Sequence, residues 1–187
     1  AYDGTSTWDN VSGQGKWNIH PAFNYGQEVS GLWVAKFEAS PEGETTDNAN
    51  SQYNGIDKKL QVKPEVSSWR YITIGNAYTV CLNYNSALNS HMMKNDEWGA
   101  VAYLSRSQYG KNSAVYNNPY WNNNSYNGTI YYSPITGLCG NTQSYSTTKY
   151  NDSNVYKYNT IEGKNASTTG NVYGVYDMAG GAWEYVA

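Results

Sequence analysis

The densest chemistry in the sequence lies near its end, in GVYDMAGGAWEYVA (174–187). Asp177 and Glu184 supply two carboxylates, and Gly180 and Gly181 between them allow a backbone turned so that carbonyl oxygens converge. The plainer reading is a hairpin turn at the glycine pair, with Glu184 solvated. Nucleophilic catalysis has less to work with. It needs a Ser, Cys or Thr beside a base, and the two histidines, His20 and His91, read as surface or second-layer residues. No GxSxG elbow, phosphate loop, HExxH pair or dinucleotide fingerprint occurs. Cys81 and Cys139 lack CxxC spacing, which argues against zinc and leaves either one disulfide or two buried thiols. On residues alone, enzyme is the weaker class.

Composition narrows the partners. The net charge is -3, which speaks against a partner held by phosphate neutralisation, so no nucleic acid is expected. Charged residues make up 14% of the chain while mean hydropathy is -0.73, so the polarity is uncharged and sits in 24 Asn and 18 Gly. Disorder goes with few aromatics, and 7 Trp with 20 Tyr exclude it for the chain as a whole. The same Tyr, Asn, Ser and Gly are what binding loops favour, because Tyr gives contact area at low entropic cost. No run approaches the roughly 20 apolar residues that span a bilayer, and no signal peptide opens the chain, so no membrane insertion is expected.

The elements that must position these residues are read from periodicity. In GLWVAKFEAS (31–40), Trp33, Ala35, Phe37 and Ala39 alternate with Lys36 and Glu38, which predicts a half-buried strand. From Ile74 the period becomes helical: Ile74, Ala77, Tyr78, Cys81, Leu82 and Leu88 form a stripe expected to face the core. KNDEWGAVAYLSRSQYG (94–110) predicts a second helix. Asn95 would cap it, Asp96 and Glu97 occupy its first turn, and Trp98, Val101 and Ala102 point inward. The pair Asp96–Glu97 is read as a helix start rather than an acid/base pair. Within 116–133 only TIYY is strand-like, and VYKYNTI (155–161), NVYGVYD (171–177) and AWEYVA (182–187) read as further strands. No linker divides the chain, so one domain over 1–187 is expected.

Three segments, in order, resemble one family. WVAKFEAS is similar to its early Tyr-Glu-Val-Thr strand. ITIGNAYTVCLNYNSALNSHMMKNDEWGAVAYL (72–104) is similar to its two helices, the second reading LPTEAEWEYAA in the family. GVYDMAGGAWEYV (174–186) looks like its GLYDMxGNVWEW motif. The family is that of the formylglycine-generating, sulfatase-modifying enzyme, whose domain is a variant of the C-type lectin fold. The resemblance implies an α+β domain with two helices packed on a twisted, mostly antiparallel sheet and long loops. It also implies a structural calcium held by Asp177 and Glu184 side chains and the Gly180 and Ala182 carbonyls. Gly181 departs from the family's Asn. The family's sheet and its catalytic cysteines continue beyond the position of Ala187, so the chain is expected to be a truncated or processed one lacking the last strands, the alternative being another polypeptide segment that completes the sheet. Cys81 and Cys139 do not match the catalytic pair.

The wording of 94–110 is closer to non-catalytic relatives on bacterial surfaces, pili and phage tails, some of them variable proteins diversified by retroelements. The expectation is therefore an extracellular, cell-surface or virion-borne domain that binds a surface glycan or protein receptor. Tyr120, Trp121 and Tyr126 are its candidate contacts; the same aromatics could instead fold back over the core. The alternatives are an oxidase fragment without its cysteines and a structural pilus or tail subunit.

Overall fold

The computed structural model describes residues 21–23, 29–45, 52–118, 122–126, 129–140, 155–180, 182 and 184–187, with the strand residues 122–126 and 129–133 described by backbone alone. The chain divides into two compact units, Ala1–Trp33 and Val34–Ala187. Among the described residues of the first, a 3-10 turn spans Pro21–Phe23, and Phe23 O accepts from Val29 N–H at 2.9 Å.

The second unit is α+β. Its elements in sequence order are β1 (Ala39–Pro41), β2 (Leu60–Val62), α1 (Ile74–Leu82), α2 (Asn95–Leu104), β3 (Asn122–Tyr126), β4 (Thr129–Ser133), β5 (Leu138–Gly140) and β6 (Val155–Lys157). Instead of one sheet, the described strands form three separate antiparallel ladders: β1 with β2, β3 with β4, and β5 with β6. The predicted strand at 31–40 shrinks to β1. Trp33 and Ala35 are exposed and only Phe37 reaches the core, because the backbone before Ala39 has no ladder partner to hold the alternation.

The core beneath β5 and β6 is aromatic. Phe37, Tyr116, Cys139, Ala166 and Tyr176 are buried together, with Val62 and Tyr158 packed against them. Phe37 and Tyr176 each meet Tyr158 edge to face, with centroids 5.1 and 5.9 Å apart, an arrangement worth about 1 kcal/mol per pair beyond area burial. The Lys36 ammonium closes this cluster, 4.9 Å from the Tyr158 centroid.

The expected inward stripe of the first helix is not inward. α1 buries only Val80; Ile74, Tyr78 and Leu82 are exposed, and Leu88 lies beyond the helix, 71% exposed. The helix stops at Leu82 because the Asn residues that follow offer the backbone other partners. Asn85 Oδ1 accepts from Ala87 N–H at 3.1 Å and starts a 3-10 turn, Ser86–Leu88, which Asn89 closes in the left-handed region at φ 51. The cap of α2 falls one residue earlier than predicted, so that Asn95 is already helical: Lys94 holds the N-cap position, and its N–H donates to Glu97 Oε2 at 2.8 Å. Val101 is buried, and Trp98 and Ala102 are half-buried, as the stripe predicted.

Two predicted strands do not form among the described residues. Residues 171–177 form turns, with Asn171 Oδ1 accepting from Tyr173 N–H at 2.8 Å, and the described residues of 182–187 are irregular. The last residue is nevertheless paired: Ala187 N–H donates to Met93 O at 2.9 Å, and Asn95 N–H donates to Ala187 O at 3.3 Å.

Candidate functional site

Asp177 is the centre of the turn that the sequence singled out. Its backbone sits in the left-handed region, φ 59, which turns the carboxylate inward, where 4% of the residue remains exposed. Asn118 Nδ2 donates to Oδ1 at 2.8 Å, while Thr136 Oγ1 and Gly137 N–H donate to Oδ2 at 2.9 and 2.7 Å. Asn118 is as fully engaged. Its Nδ2 also donates to Leu138 O, its Oδ1 accepts from Gly140 N–H, and its own N–H donates to Ala179 O. One carboxylate and one amide thus tie three separate segments into a node beside β5.

The Gly180 part of the pair has a steric reason. Asn118 and Gly180 form a parallel bridge, and a Cβ on Gly180 would stand 2.2 Å from Asn118 O. The residue also sits at φ 87, where side chains are strained. Close backbone approach explains the glycine at 180; Gly181 lies outside the described residues.

Two further carboxyls lie in the field of Asp177. Glu38 Oε2 accepts from Ser68 Oγ, while Oε1 is out of solvent without a partner among the described residues. Burial, then the charges of Asp177 and Glu184, push the Glu38 carboxyl well up. Burial also raises Asp177, but its three donors oppose this, so of the two the negative charge is better held on Asp177 and the proton on Glu38. Glu184 is exposed as a residue, yet its carboxyl packs against an indole: Trp98 Nε1 donates to Oε2 at 2.7 Å. That local burial, with Asp177 behind it, pushes Glu184 up to about 7.

At the start of α2, His91 Nε2 lies 3.0 Å from Glu97 Oε1, and Nδ1 lies 3.0 Å from Asn89 O. Glu97 is 4% exposed. The bond to Asn89 O and the Glu97 carboxylate raise His91 above its ordinary value, against a smaller opposing effect of burial. His91 thus belongs to an ion pair that links the loop before α2 to its first turn. The spacing of six residues, with one partner on a helix and the other on a loop, matches no periodic template.

The residues expected to hold calcium are placed as follows. Asp177 spends both carboxylate oxygens on protein donors, and Glu184 turns to the Trp98 indole. Among the described residues no three or more His, Cys, Asp or Glu side chains converge as a metal would need. The donor set in this arrangement does not fit a calcium shell, since N–H and O–H dipoles already point at Asp177 where the cation would stand. Tyr120 and Trp121 lie outside the described residues, and of Tyr126 only the backbone in β3 is described. Both cysteines are free thiols. Cys139 is 1% exposed and burial pushes its thiol up to about 11, while burial also raises Cys81.

Exposed aromatics are concentrated elsewhere. Tyr71, Tyr78, Tyr84, Tyr103, Tyr109 and Tyr173 all stand out into solvent. Among the described residues no helix is long and apolar enough to cross a membrane. No family model matches this protein, and no curated protein or solved structure does.

Proposed function

We propose that Val34–Ala187 is a non-catalytic ligand-binding domain, a C-type-lectin-like fold of the sulfatase-modifying type displayed on a bacterial surface, pilus or phage tail. The observation that carries this reading is the contrast between a locked interior and an aromatic exterior. The turn around Asp177 is held by bonds from two other segments, while Tyr78 on α1, Tyr103 on α2 and Tyr71, Tyr84, Tyr109 and Tyr173 in the loops stand exposed. Exposed Tyr on a rigid scaffold gives contact area at small entropic cost. Tyr120, Trp121 and Tyr126 would add to such a surface, and their rings with neighbouring Asn amides suit a glycan. The buried thiols support binding over thiol chemistry, because a thiol raised by burial supplies little thiolate. The test is a glycan panel and a receptor pull-down with the purified protein, alongside incubation with a sulfatase-type cysteine peptide. Saturable binding that weakens in a Tyr120→Ala, Trp121→Ala double variant supports the reading; aldehyde formation on the peptide overturns it.

A further inference from the structure

We propose that Asn54 and Gly55 form a self-modifying site at which the protein deamidates its own Asn54 through a cyclic imide. The Asn54 side chain is exposed but held. Its Oδ1 accepts from Thr73 N–H at 2.8 Å and from Asn76 Nδ2 at 3.1 Å, and its backbone carbonyl accepts from the same Asn76 amide at 3.0 Å. Two donors on one carbonyl oxygen draw density from Cγ and stabilise the negative charge that grows on Oδ1 when a nucleophile adds there. The nucleophile is the next backbone nitrogen. Gly55 has no side chain to shield it, and the space is closed to one: a Cβ would stand 2.4 Å from the Tyr53 hydroxyl and 2.6 Å from Asp57 Oδ1. Those two groups bond each other beside Gly55. The Asp57 carboxylate, held ionised below the usual carboxylate range by the Tyr53 hydroxyl, lies against the open side of the Gly55 backbone.

The step balances without an oxidant or cofactor. Gly55 N bonds to Asn54 Cγ, the bond from Cγ to the amide nitrogen Nδ2 breaks, and the proton lost by Gly55 N leaves with that nitrogen as ammonia. Water then opens the five-membered imide at either carbonyl, giving aspartate or isoaspartate. The net change is water taken up, ammonia released and one negative charge gained. That charge arises against a stretch, Tyr71 to Met93, that contains no Asp, Glu, Lys or Arg. The aspartate product keeps both acceptors and places a carboxylate at the start of α1, where it is favoured. The isoaspartate product lengthens the backbone by a methylene and pulls the clasp off Thr73 and Asn76.

The experiment follows Asn54 by peptide mapping in the full-length protein, held near neutral pH either folded or in urea, reading the amide-to-acid mass increase and released ammonia. The folded protein is expected to convert Asn54 several-fold faster than the unfolded one. Asn76→Ala, which removes one donor, should bring the folded rate down toward the unfolded one without changing the latter. A folded rate at or below the unfolded rate overturns the proposal. Circular dichroism shows whether Asn76→Ala folds, and where it does not, the folded-to-unfolded ratio of the unaltered protein decides alone.

Discussion

Thr136 Oγ1 donates to Asp177 Oδ2 at 2.9 Å and accepts from Glu38 N–H at 3.0 Å, so one hydroxyl joins the segment after Phe37 to the 177 turn. All three residues lie at positions to which periodicity assigns no contact. Asp177→Ala would strand three donors, Asn118 Nδ2, Thr136 Oγ1 and Gly137 N–H, inside the protein. Each orphaned donor costs about 1–3 kcal/mol, so a loss on the order of 4 kcal/mol is expected. Thr136→Val removes both bonds of that hydroxyl and should cost about 1–3 kcal/mol. Urea unfolding monitored by Trp fluorescence measures both, with the denaturant slope expected to stay constant.

Gly180 and Gly43 separate two reasons for glycine. Both have positive φ, 87 and 84, but a Cβ at 43 meets nothing within 4 Å whereas one at 180 meets Asn118 O at 2.2 Å. Gly43→Ala is expected to cost only the left-handed penalty, about 1 kcal/mol. Gly180→Ala should cost at least about 2 kcal/mol more, because the bridge to Asn118 must open. Equal losses at the two sites, in the same unfolding assay, would sink the close-approach account.

What could be read from the sequence was what depends on neighbours along the backbone. α2 and its acidic first turn were legible, since Asp96, Glu97 and the 98/101/102 stripe are local signals. β4 was legible from its TIYY core. Its partner β3 was not, because NNNSY has poor strand propensity, although the Asn-Gly pair between the two is a hairpin signal. The Asp177 node was legible only as a place to look. Its partners Asn118 and Thr136 stand 59 and 41 residues away, and no period links them. The α1 stripe misled because helical spacing tells which residues share a face, not whether anything covers that face.

Stability is expected to fall as pH rises from mildly acidic to neutral. Glu184 goes from the ordinary 4.5 to about 7, and a carboxyl raised on folding binds its proton more tightly in the folded protein. Between those values the folded state holds more protons than the unfolded state, so unfolding becomes easier as pH climbs through the window. Glu38, raised in the same direction, adds to this. His91 is also raised, and the stability of its pairing with Glu97 is present below 6.5 and lost as pH passes its folded value. Glu184→Gln and His91→Gln should each flatten part of the fall, and melting temperatures taken across the window in the two variants apportion it. A profile that rises with pH in the unaltered protein would contradict all three assignments.

The thiols give a prediction about access. Cys139, at 1% exposure and about 11, should resist a thiol reagent in the native protein near neutral pH. Cys81 is half-buried and raised less, so it should react first, though slowly. Full labelling of both is expected only in denaturant, without reductant. If fewer than two thiols react there, the cysteines are bonded after all.

Calcium offers the sharpest division between the resemblance and the geometry. A cation that binds only the folded protein raises the melting temperature with concentration, by mass action. Asp177 already has three donors on its two oxygens, and a calcium at that carboxylate would have to displace Asn118, Thr136 or Gly137. The expected result is therefore a melting temperature unmoved by chelator or by added calcium. A calcium-dependent rise that disappears in Glu184→Gln would mean that the turn rearranges to admit the ion. The Trp98–Glu184 bond would then be a resting contact that the ion replaces, and Trp98→Phe should strengthen calcium binding rather than weaken it.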